Sequence, residues 1–108
     1  MPTNWQAVDH SIDDRLENTL AELGKLCAQP SVSAQGLGMQ ECAELVAEML
    51  RARGFDTKVM ATDGQPVVYG ERSGRGDRTL LLYNHYDVQP PEPLDLWITP
   101  PFEASRRN

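Results

Sequence analysis

The chain has no apolar stretch approaching the roughly 20 residues that a membrane-spanning helix needs, so no membrane partner is expected. Its opening residues, MPTNWQAVDH, lack a basic start followed by an apolar run, so no secretory leader is expected either. Basic side chains are few: ten Lys and Arg stand against sixteen Asp and Glu, for a formal net charge of −6. Nucleic-acid backbones are held by clustered Lys and Arg, and this balance argues against such a partner. There are only two cysteines, Cys27 and Cys42, both in segments with helical spacing. They read as reduced, buried thiols rather than a disulfide, and a cytoplasmic location follows as an expectation. Histidine is as sparse, with only His10 and His85.

What is present suits one small domain: 108 residues, 40% of them hydrophobic, enough for a modest packed core. Ser11, with Asp14 three residues on, makes an acceptable helix N-cap. Ile12, Leu16, Leu20, Leu23 and Cys27 then recur at three- and four-residue steps, and Pro30 forces a stop. A small-residue loop, SVSAQGLG, spans 31–38. Beyond it Cys42, Leu45, Val46, Met49 and Leu50 mark a second amphipathic helix. That helix closes with Arg51 and Arg53 on its negative end and Gly54 as a left-handed cap. Both apolar stripes predict core packing.

Three strands are expected next, at Phe55–Ala61, Pro66–Glu71 and Thr79–His85. The first alternates Phe55, Thr57, Val59 and Ala61 on one face, as a half-buried strand does. The third, TLLLY, is continuously apolar and so predicts a strand covered on both faces. Between the second and third lies SGRGDR, read as a hairpin-type connection; its Arg-Gly-Asp tripeptide is too short to carry meaning, and no helix follows to make it a phosphate cradle. From Gln89 the chain is proline-rich and irregular. Trp97 and Phe102 there either staple the loop to the domain or shape the rim of a cleft.

The chemistry concentrates where the third segment ends, at YNHYDVQPP. Alternation along a strand points His85 and Asp87 to the same side and Tyr86 to the other. Strand ends that give way to loops are where α/β folds place functional groups. A neutral imidazole is a good zinc ligand, and a neighbouring carboxylate fixes its tautomer and orientation. A hydrogen-bonded structural pair has the same spacing, and from spacing alone it is the commoner outcome. No second His or Cys lies nearby, and nothing in the spacing of Glu92, Asp95 or Glu103 recommends them as ligands.

The run LLLYNHYDVQPPEPLDLWITPPFEAS resembles the metal-binding segment of the zinc-dependent aminoacylase, carboxypeptidase and dipeptidase family. The family pattern falls on Leu80–Tyr83, Asn84 (where glycine is commoner), His85, Tyr86, Asp87, Val88, Pro90–Pro93, Trp97 and Pro101-Phe102. The loop QPSVSAQG at 29–36 looks like the family's as well. The resemblance implies a partial three-layer α/β/α sandwich with a mixed sheet, residues 1–108 being the N-terminal portion of a metallopeptidase catalytic domain. It implies two zinc ions, His85 as a ligand to one and Asp87 as its catalytic companion, and a glutamate as general base. The substrate would be a small peptide or an N-acyl amino acid, with QPPEPLDLW most like the dipeptidase branch, and a homodimer would form only in a complete protein. The bridging aspartate, the paired glutamates and the remaining histidine have no counterpart in these residues. Tight zinc binding and hydrolysis by the 108-residue chain alone are therefore not expected. The rival expectations are a non-catalytic interaction module and a binding domain whose His85/Asp87 pair is structural.

Overall fold

The computed structural model describes residues 2–107. Helix α1 runs Trp5–Ala28 and helix α2 Met39–Ala52, joined through a loop that contains one 3-10 turn at Ser33–Gln35. Strands β1, Asp56–Met60, and β2, Val67–Glu71, form an antiparallel hairpin in which Thr57 faces Gly70 and Val59 faces Val68. A second 3-10 turn, Leu94–Leu96, interrupts the proline-rich segment. The α/β class expected from the sequence is the one observed.

Helix α2 and the hairpin form the packed part. Met39, Cys42, Ala43 and Ala47 are buried, a row at three- and four-residue steps. Leu45, Val46, Met49 and Leu50 are only half-buried, so the inward face is centred on the alanines rather than on the larger residues. Small side chains there let the helix approach the hairpin closely. Gly70 on β2 serves the same contact, since a Cβ at that position would lie 3.2 Å from Leu50 Cδ1. The helix ends as expected: Gly54 has φ +82° and the Arg53 guanidinium donates to the Met49 carbonyl at 2.9 Å.

Three expectations need correction. Helix α1 begins seven residues earlier than the Ser11 cap implied, because the Asn4 side chain accepts from the Ala7 amide at 3.2 Å and Asn caps as well as Ser. Its apolar stripe is not core: Ile12, Leu16 and Leu23 are 57%, 41% and 52% exposed, and Cys27 is exposed too. Among the described residues this helix is held by the Glu22–Arg53 ion pair, a few contacts with α2 and the tail, where Ala104 lies beside Gly24 and Arg106 pairs with Glu17.

The third correction is Thr79–His85, which forms no strand, so that SGRGDR connects no hairpin. Leu80, Leu81, Leu82 and Tyr83 are 75–88% exposed. A strand apolar on both faces needs neighbouring strands and covering helices, and the hairpin of β1 and β2 does not reach it. The global dimensions agree. The radius of gyration is 17.0 Å, against about 13 Å for a compact domain of this length. The accessible surface is 9311 Å², against roughly 6,000 Å² for a compact chain of this mass.

Candidate functional site

Two segments far apart in sequence build the site. The 31–38 loop is closed by Val32, which pairs in antiparallel fashion with Leu37, and by Gly36 and Gly38 at φ +61° and +70°. Val32, fully buried, also bridges in parallel to Val88. Ser31 grips both sides of Asp87: its hydroxyl donates to the Tyr86 carbonyl at 2.8 Å, and its own carbonyl accepts from the Val88 amide at 2.9 Å. Tyr86 points back into the domain as expected, and its phenol donates to the Pro66 carbonyl. Burial pushes that phenol's pKa up. Residues 86–88 are thereby clamped even though residues 79–85 are not.

On this clamp His85 and Asp87 meet. His85 Nδ1 lies 3.0 Å from the Asp87 carbonyl oxygen and 3.2 Å from Asp87 Oδ1. Both neighbours can only accept while the carboxyl is ionised. Nδ1 therefore carries the hydrogen and donates, leaving the lone pair on Nε2. Nε2 makes no hydrogen bond among the described residues, and the His85 side chain is 80% exposed. The other carboxylate oxygen, Asp87 Oδ2, accepts from the Ser33 hydroxyl at 2.8 Å. That hydroxyl first, then the backbone and His85, hold the Asp87 carboxyl below the usual carboxylate range.

A metal ion fits one corner of this arrangement and no more. The exposed, oriented Nε2 is a good zinc donor, but catalytic zinc takes about three protein ligands. No group of three His, Cys, Asp or Glu side chains able to hold a metal occurs among the described residues. His10 lies in the second turn of α1, where it pairs with Asp14 at 3.3 Å. A concavity of about 620 Å³ lies elsewhere, in the proline-rich segment between Pro93, Trp97, Pro101 and Arg107, and includes neither His85 nor Asp87. Trp97 both lines it and staples the loop, its indole N–H donating to the Pro91 carbonyl at 3.0 Å. Cys42, buried beneath Ser31, has its thiol pushed up in pKa by that burial.

The sequence pattern marks His85 and Asp87 as candidates and assigns no role to Ser31 or Ser33. The only signal for the serines was that their loop shared the family resemblance.

No protein-family model matches the chain. Over 93 residues it is similar to the succinyl-diaminopimelate desuccinylases of Burkholderia multivorans and Burkholderia ambifaria, each at 33% identity, with 83% of this chain and 24% of the relative covered. In three dimensions it is similar to an M20 family metallo-carboxypeptidase from Sulfolobus solfataricus, with a TM-score of 0.79 and 40% identity, over 82% of this chain and 21% of that one. The chain thus spans about a quarter of the length of the curated relatives it matches.

Proposed function

We propose, from the premise that this chain is a relative of the M20 metallopeptidase family in sequence and in fold, that it supplies one metal ligand and that ligand's orienting carboxylate to an amide-hydrolysing centre. The observation that carries the reading is the tautomer lock at His85, with Nδ1–H donated to Asp87 and Nε2 turned outward. The His85 side chain is 80% exposed, which leaves Nε2 open to a metal whose other ligands come from outside these residues.

The division of labour follows from the chain's own residues. His85 offers Nε2. Asp87 holds the ring and keeps negative charge beside it, which raises the basicity of the ligand. Ser31 and Val32 fix the backbone at 86–88 that carries Asp87, and Asp87 in turn holds His85. When bound, zinc would supply Lewis acidity toward an amide carbonyl and lower the pKa of attacking water. The remaining ligands and the general base come from outside these residues, so the 108-residue chain alone is expected neither to retain zinc through desalting nor to hydrolyse amides. The substrate class is a peptide or an N-acyl amino acid, in line with relatives named as desuccinylases and a carboxypeptidase. Those names give the dipeptidase-like reading no added support.

Grafting this chain in place of the matching segment of the Burkholderia multivorans desuccinylase tests the reading. A folded graft should hydrolyse succinyl-diaminopimelate, and His85→Ala within it should lower turnover by about a thousandfold and reduce the zinc content. Unchanged turnover and zinc content in the His85→Ala graft would refute the ligand role.

A further inference from the structure

We propose that Ser33 is a positioning residue for His85, acting through Asp87; the inference rests on the reading of His85 as a metal ligand. A carboxylate held through one oxygen can turn about its Cβ–Cγ bond. At Asp87 both oxygens are engaged on opposite sides, Oδ1 with His85 Nδ1 at 3.2 Å and Oδ2 with the Ser33 hydroxyl at 2.8 Å. The shorter contact is the one to Ser33, so the serine sets the plane of the carboxylate and the imidazole follows it.

The bland alternative is that Ser33 merely starts a 3-10 turn. Its backbone does so, its carbonyl accepting from the Gly36 amide at 3.1 Å. Its hydroxyl, however, makes no bond within that turn and reaches a side chain 54 residues away. The turn is itself anchored just before the serine, by the 31–88 backbone hydrogen bond and by the buried Val32, whose bridge to Leu37 closes the loop beyond it. The hydroxyl is therefore delivered to Asp87 by a braced loop. The loop and the His85–Asp87 segment form one device, with the serine as the contact that transmits the loop's rigidity to the ligand.

The test reads the imidazole directly. With ¹⁵N-labelled histidine at a fixed pH where the ring is neutral, two-bond ¹H–¹⁵N correlations report the tautomer of each histidine, and His10→Gln assigns the two. Wild type should show His85 mainly as the Nδ1–H form, and Ser33→Thr, which keeps the hydroxyl, should preserve it. Ser33→Ala should measurably lower the Nδ1–H population, the Asp87 backbone carbonyl 3.0 Å from Nδ1 retaining part of it. If Ser33→Ala fails to fold, Ser33→Cys, of similar size but a weak donor, should give an intermediate population. A wild-type tautomer population in folded Ser33→Ala, or in Ser33→Cys, would overturn the proposal. Titration with zinc alone separates this inference from the reading beneath it. Weakening of the zinc-induced shift at His85 by about 10- to 100-fold in Ser33→Ala supports both. Tautomer loss in Ser33→Ala, with His85 unmoved by zinc even in wild type, supports the positioning role and sinks the metal role.

Discussion

Substituting Gly38 by alanine tests how the site loop is held, because two glycines of similar backbone conformation sit in very different surroundings. Gly36 and Gly38 both lie in the left-handed region, at φ +61° and +70°. Any L-residue there costs roughly 1–2 kcal/mol, so Gly36→Ala, which meets nothing within 4 Å, should lose about that much. At Gly38 a Cβ would stand 2.0 Å from the Pro30 carbonyl oxygen and 2.7 Å from its carbon, both backbone atoms. The loop has to move by an ångström or more, and such overpacking adds roughly 1–3 kcal/mol. Gly38→Ala should therefore cost about 3 kcal/mol or more, at least about 1 kcal/mol beyond Gly36→Ala. With a urea dependence of roughly 1 kcal/mol per M for a chain of this size, the midpoint should fall by about 1 M for Gly36→Ala. It should fall by about 3 M, or the chain should be unfolded throughout, for Gly38→Ala. Far-UV circular dichroism against urea measures both. Equal losses for the two would refute the close packing of Pro30 on Gly38 and, with it, the bracing of the 31–38 loop.

Three further outcomes are expected. Cys27 is exposed and Cys42 buried with its thiol pushed up in pKa, so a disulfide-exchange reagent at pH 8 should titrate one thiol quickly and the second only on unfolding; two fast thiols would contradict the α2 packing. The Asp87 carboxyl titrates below its unfolded value, so its contribution to stability is present above about pH 4 and is lost as pH falls through the folded value. Ser33→Ala should move the Asp87 carboxyl ¹³C titration midpoint upward, and an unmoved midpoint would deny the hydroxyl's part in the shift. Glu22→Ala breaks an exposed ion pair between the helices, and the loss on urea denaturation should stay within about 1 kcal/mol; a larger one would mean α1 is held more firmly than its exposed stripe indicates.

The legible features were those whose causes are local. The alternation at Phe55–Ala61, the stop at Pro30 and the glycine cap at Gly54 all act within a few residues, and a strand, a helix end and a cap stand there. Residues 79–85 are different. A doubly covered strand is defined by its neighbours, and the apolar run states what Leu80–Tyr83 require without supplying it. The stripe on α1 likewise records a face that should be covered, not the element that covers it. At the site, the two-residue step brought His85 and Asp87 together as alternation implied. The contact between Ser33 and Asp87 crosses 54 residues, and no spacing rule reaches that far.

The central claim is that His85 Nε2 is the metal-binding atom and that these residues hold only one corner of a centre. Zinc titration of the chain, followed at the imidazole nitrogens of both histidines, tests it most directly. His85 Nε2 should shift, His10 should stay nearly still, binding should be weak enough to be lost on desalting, and His85→Ala should abolish the response. Zinc retained stoichiometrically after desalting, or a response centred on His10, would contradict it.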